Sequence, residues 1–250
     1  MKVTVVTVCF NSEATIEQTI ESVLGQSSKD YEYLIVDGAS KDNTLNIIDK
    51  YSDCGIRVVS EEDEGLYDAM NKAADLAEGD FIIYMNSGDV FADSYVLEDI
   101  EPYLNENVDL IYGGTIRVKP DGDVTERYSG SNIVLRLLLQ GKMMCHQSVF
   151  TRTEVMRKYG FDKAYTITAD YDFIARMAHD KRKMVYVDRI VSKVDNVGGI
   201  SSAVRNMDTM RRQDDMSLKK NFPGWYMIVT PPKALIRVFG RMREKKALQK

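Results

Sequence analysis

A chain of 250 residues, 44% of them hydrophobic and 28% charged, can fill the core of one large α/β domain or two small ones, and its composition excludes a disordered chain. The net charge of −5 is uneven: seven basic residues and the single acid Glu244 lie between Lys233 and Lys250, a local +6 that leaves −11 on the body and excludes a general nucleic-acid binder. Three cysteines, Cys9, Cys54 and Cys145, share no metal-ligand spacing and cannot all pair, which fits a reduced, cytoplasmic setting.

The N-terminal run VTVVTV is short and lacks a small-residue cleavage site, so residues 2–9 read as a buried strand and not as a signal peptide. Ile16, Ile20, Val23 and Leu24 then recur at helical spacing. Residues 31–36 make a second expected strand, followed by a helix carrying Leu45, Ile47 and Ile48. A third strand over 56–60 precedes a helix over 66–77, and a fourth covers 81–85. Strand–helix alternation of this length predicts an α/β fold with a mostly parallel sheet flanked by helices. Beyond Asp89 the pattern loosens. Pro120-Asp121-Gly122-Asp123, between IRVK and VTERY, reads as a hairpin turn, and helices are expected over 132–139, 170–178 and 203–219. No stretch of about 18 apolar residues is present, so no transmembrane helix is expected.

In an open parallel sheet, ligands bind beyond the carboxyl ends of the strands. Those ends carry Asn11, Asp37, Glu61 with Glu62, and the segment from Asn86 to Asp89, so acids and amides gather along one edge. Any one of them is an ordinary loop residue; the series points to a site. CFNSEA replaces the GxGxxG that a dinucleotide fold needs after its first strand, and no GxxxxGK[ST] occurs. Two histidines, His146 and His179, are too few for a histidine-rich zinc centre. Oxygen ligands remain, which suit Mg²⁺ or Mn²⁺ on a diphosphate.

The blocks TVCFN, LIVDGASKDNT and DEGLYDAMNKAADLAEGDFIIYMNSGD, followed by CHQSVF and KYGFDKAYTITADYDF, resemble the family-2 inverting glycosyltransferases of GT-A fold over residues 2–202. The resemblance implies a Rossmann-like nucleotide-binding half (1–90) and an acceptor half (91–220), with a basic extension over 221–250. It implies a nucleotide-diphosphate sugar as donor, UDP being the usual nucleotide, and a saccharide or lipid-linked acceptor in cell-surface polysaccharide assembly. Phe10 is expected against the base, Asp37 as the base-contacting carboxylate, and Asn86 on the ribose. Asp89 stands as the single metal carboxylate, for Mn²⁺ or Mg²⁺, because the family's DxD-type motif reads Asn-Ser-Gly-Asp here. Asp170 matches the catalytic base. His146 and Gln147 are expected at the donor phosphates or the acceptor. Asp172 is either a further such contact or a helix-capping acid, and Asp68 either a donor contact or an N-terminal cap. Residues 197–201 suggest either a loop closing on the diphosphate or a plain glycine turn before the next helix. The thinned metal motif leaves a second reading, an inactive donor-binding partner subunit. Trp225 to Val229 and the basic tail suggest either peripheral contact with an anionic inner membrane face or a helix packed on the catalytic domain with its charges in solvent.

Overall fold

The computed structural model describes residues 1–118, 124–126, 143–195 and 207–228. The turn at 120–123, the helix over 132–139, the loop over 197–201 and most of the basic tail lie outside them. Strands β1 (Val3–Cys9), β2 (Tyr31–Asp37), β3 (Arg57–Ser60) and β4 (Phe81–Tyr84) pair in parallel in the order β3-β2-β1-β4. All seven residues of β1 are buried, as a continuous Val/Thr run requires when helices cover both faces of a parallel sheet. Helix α1 (Ile16–Leu24) turns Ile16, Ile20 and Val23 onto one face, where Val3 and Val5 of β1 meet them. Helix α3 (Leu66–Leu76) turns Tyr67, Met70, Ala73 and Ala74 onto the other, against Val6 and Val8. The short helix α2 (Thr44–Asp49) joins the first core through Ile47 and Ile48.

The second half is built differently. Strand β8 (Val149–Arg152) lies antiparallel to β4, and β6 (Leu110–Val118) antiparallel to β8. The long strand β9 (Met184–Asp195) runs parallel to β6, the two-residue β5 (Val90–Phe91) closes the edge antiparallel to β9, and β7 (Val124–Glu126) pairs antiparallel with β6. Parallel pairing therefore belongs to the first four strands and to β6 with β9; the sheet as a whole is mixed. The direction of β8 is fixed at its end, where Thr153 N and Oγ1 donate to Asp80 O (2.9 Å) and Gly79 O (2.6 Å) just before β4 begins. The register of β6 on β9 shifts around Gly113, where any Cβ would run into the Arg189 carbonyl. Two helices between these strands, α4 (Val96–Ile100) and α5 (Thr153–Tyr159), bury Val96, Leu97, Ile100, Val155 and Met156.

Helix α6 (Ala169–His179) is held to α7 (Met207–Asn221) by buried polar contacts. Asp172, fully buried, accepts from Arg176 Nε (2.7 Å), Ser217 Oγ (2.7 Å) and Asn221 Nδ2 (3.2 Å). Gln213 Oε1 accepts from the backbone N–H of Ile167 and Thr168 ahead of α6. Past α7, Phe222 and Tyr226 pack against the core while Trp225, Met227 and Ile228 are exposed. Removing one member of a buried, hydrogen-bonded ion pair costs about 3–5 kcal/mol. Asp172→Ala is therefore expected to lose about that much in urea unfolding; a loss under about 1 kcal/mol would show that Asp172 is not the tie between the helices.

Candidate active site

The carboxyl ends of β1, β2, β3 and β4 open on one edge of the sheet, and the turn after β4 is clamped there from below. Asp89 N donates to Asn86 O (2.9 Å), and Gly88 takes φ +98, a conformation that favours glycine. The buried Thr19 of α1 accepts from Gly88 N (2.9 Å) and donates to Asp89 O (2.9 Å), while Thr15 Oγ1 bonds Ser87 Oγ (2.9 Å). The backbone under Asn86 and Asp89 is thus fixed by side chains of another element.

Facing this turn is a single 3-10 turn, His146–Ser148, leading into β8. Its three side chains each do something different. Ser148, with no exposed surface, bonds Gly114 O (2.9 Å) and Ser192 Oγ (2.7 Å), anchoring the turn to β6 and β9. Gln147 Nε2 donates to Asp89 Oδ2 at 2.8 Å. His146 lies between Asn86 and Asp170: its Nε2 is 3.2 Å from Asn86 Nδ2 and its Nδ1 3.2 Å from Asp170 Oδ2. With Nε2 accepting from the amide, the ring proton sits on Nδ1 and is donated to Asp170.

Asp170, in the first turn of α6, has a second support. Its Oδ1 accepts from Tyr67 OH (3.3 Å) and from Tyr171 N (2.9 Å), while Tyr67 OH also donates to Ile167 O (2.7 Å). Burial, followed by the nearby Asp170 charge, pushes the Tyr67 phenol far above its ordinary range, so it stays a donor. A carboxylate offers about four lone-pair positions, so these contacts orient Asp170 and still leave it able to take a proton. Its side chain is 20% exposed.

The structure thus brings Asn86, Asp89, His146, Gln147 and Asp170 together, and places the 60% exposed ring of Phe10 at the end of β1. Three other acids sit elsewhere. Asp37 is fully buried and accepts from Ser40 N (3.0 Å), Ser40 Oγ, Ser60 Oγ (2.7 Å) and the Cys9 thiol (3.6 Å), so its carboxylate ties strand ends together and does not open on the cleft. Asp68 accepts from Lys163 Nζ (2.7 Å) and Glu64 N (3.1 Å), and the Lys163 bond is the chief reason its carboxyl is held below the usual range. That arrangement combines an N-terminal contact with an ion pair. Asp172 faces α7 and not the cleft. Tyr67 was not singled out from the sequence; its signal is only a tyrosine at the start of GLYDAMNKA.

No cluster of three or more His, Cys, Asp or Glu suited to a metal occurs among the described residues. The turn nonetheless fits a hard cation shared with phosphate: it holds the Asp89 carboxylate, and Asn86 Oδ1 is a buried oxygen with no hydrogen-bond partner.

Residues 4–181 match the family model Glycosyl transferase family 2, and the chain belongs to that family. It is 28% identical over 210 residues to a PGL/p-HBAD biosynthesis glycosyltransferase of Mycobacterium bovis, covering 81% of this chain and 80% of the relative. Its fold is similar to that of residues 1–349 of TarS from S. aureus in complex with UDP-GlcNAc, with TM-score 0.68 and 19% identity over 89% of this chain and 68% of the other. A mannosyltransferase, PcManGT from Pyrobaculum calidifontis, in complex with GDP-Man and Mn²⁺, gives TM-score 0.63 and 17% identity over 88% and 63%. The fold is α/β of the GT-A type, and the activity class is glycosyltransferase.

Proposed function

We propose that the protein transfers a sugar, with inversion, from a UDP-linked donor to a saccharide or lipid-linked saccharide in cell-surface glycan assembly. The observation that carries this reading is Asp170, oriented by His146 and Tyr67 on the wall opposite the Asn86–Asp89 turn. The biosynthetic role in the mycobacterial relative's name and the UDP-GlcNAc held by the TarS structure support the choice of substrates.

The chemistry needs one proton acceptor and one place for negative charge. The acceptor hydroxyl oxygen attacks the anomeric carbon as its proton passes to the Asp170 carboxylate, and the bond from that carbon to the donor's phosphate oxygen breaks with its electron pair staying on the diphosphate. General-base help of this kind is typically worth about 10²–10⁴-fold. Asp89, with Asn86 beside it, would hold Mn²⁺ or Mg²⁺, which supplies Lewis-acid neutralisation of the departing diphosphate. Phe10 offers the base a stacking face, and the bonds through His146 and Gln147 keep the two sides of the cleft in register, the condition for in-line attack.

Asp170→Asn is expected to cut turnover by about 10²-fold or more while keeping metal-dependent thermal stabilisation by UDP, which at about 100 times its dissociation constant adds roughly 2.7 kcal/mol. Near-normal turnover in that variant would remove Asp170 from the role. Nucleotide stabilisation without any transfer in the unaltered chain would favour the reading as an inactive, donor-binding subunit.

Peripheral membrane contact belongs to the same proposal. The exposed Trp225, Met227 and Ile228 lead into the basic stretch after Lys233, and no helix among the described residues is long and apolar enough to cross a membrane. The full chain is expected to float with vesicles containing anionic lipid, and Trp225→Ser with Met227→Ser to weaken that. Unchanged flotation in the double variant would assign no membrane role to these side chains.

A further inference from the structure

The aromatic ring that opens the cleft has an acid beside it, but not the one next to it in the sheet. Phe10 follows β1, and Gly38 follows the neighbouring strand β2; Gly38 N donates to Cys9 O at 2.9 Å, which holds the two strand ends together. Onto Gly38 comes the loop after β3. A Cβ on Gly38 would collide with Asp63 Oδ2 and would lie 3.3 Å from Phe10 Cδ2. The absent side chain is therefore what lets the Asp63 carboxylate settle against the β2 end, next to the ring. Its other oxygen, Oδ1, accepts from Gly65 N at 2.7 Å, a local turn that fixes the direction of the group.

Among the described residues Asp63 Oδ2 has no hydrogen-bond donor and no cation within ion-pair distance, Lys72 being close enough to feel its charge but not to pair with it. The nearby lysines are engaged with other acids: Lys72 with Glu61 and Asp68, Lys163 with Glu64 and Asp68. Asp37 has no such capacity, since Ser40, Ser60 and Cys9 take up its oxygens.

An exposed ring beside a fixed carboxylate oxygen suits a flat heterocycle that stacks and donates an N–H in its own plane. Stacking on an aromatic is indifferent to which base is present, whereas the carboxylate, which only accepts, is not. Uracil and guanine carry a ring N–H on the edge they would offer. Cytosine and adenine carry a ring nitrogen lone pair there, which a carboxylate repels. We propose that Asp63 is the residue that reads the nucleobase of the donor, and that Gly38 is required because it makes room for it. The inference deepens the proposed function and rests on it: a nucleoside diphosphate must bind in this cleft for its base to be read. Asp37 then has a structural task only.

Calorimetric titration of the full chain in Mn²⁺ with UDP, GDP, CDP, ADP and inorganic pyrophosphate tests this. A hydrogen bond to a charged acceptor corresponds to roughly a tenfold or greater difference in affinity. The unaltered chain is expected to bind UDP or GDP at least that much more tightly than CDP, ADP and pyrophosphate. Asp63→Asn keeps the shape and offers an amide that also donates, so it should weaken the preferred nucleotide about tenfold, narrow its lead over CDP, and leave pyrophosphate unchanged. Gly38→Ala should do the same by displacing the carboxylate, and the backbone there is not in the positive-φ region that alanine resists. Unchanged pyrophosphate binding shows that either variant is folded. Wild-type affinity and selectivity in both variants would overturn the assignment while leaving the donor reading intact. A native chain that binds every nucleotide no better than pyrophosphate would overturn both.

Discussion

His146 makes two hydrogen bonds, and through them residues separated by 60 positions on one side and 24 on the other become one site. Asn86 and Asp89 leave the parallel half of the sheet, whereas Asp170 begins a helix of the second half. Nothing in the order of the chain requires them to meet. They meet because β8 runs antiparallel to β4, which delivers the turn His146–Ser148 to the end of the sheet where β4 stops. Gln147 adds a direct bond to Asp89, and Ser148 roots the turn in β6 and β9. Misplacement of reacting groups by about 1 Å can cost about 10²-fold in rate, so a short turn with a buried anchor suits the task of holding the proposed base opposite the proposed leaving-group site.

The acids of the cleft region divide by what surrounds them. Asp37 and Asp172 are fully buried and saturated with donors, one tying the ends of β1, β2 and β3, the other tying α6 to α7. Asp68 is held by lysines on the surface. Asp89 accepts from Gln147, and Asp170 from His146 and Tyr67, so the direction of each carboxylate is fixed by a side chain of another element. A fixed direction is what the proposed roles ask of them, cation binding by Asp89 and proton transfer by Asp170.

The first four strands were legible because each is short and centred on apolar residues, and the first three are each followed by a helical stripe; the observed bounds differ from the expected ones by a residue at most. In the second half the helices over 169–179 and 207–221 and the pairing of β6 with β7 were legible, but strands β5, β8 and β9 were not. In β9, Asp188 and Arg189 interrupt the apolar pattern where the register on β6 shifts, so twelve residues of strand carry no clean alternation. β5 is only two residues long, and β8 passes straight into α5. The site was legible where a motif spells it out, as with Asn86, Asp89 and Asp170. The surroundings of Asp37 and Asp63 were not, because each is only an acid at or just after a strand end. What separates them is the set of serine donors around one and the missing side chain at Gly38 under the other, and those are properties of the folded molecule.

The most direct test of the account is a double-mutant cycle on turnover with His146→Ala, Asp170→Asn and the two combined. If His146 acts by orienting Asp170, the combined variant should turn over like Asp170→Asn alone, since no base is left to orient. Independent effects that multiply would contradict the account and place His146 directly on a substrate.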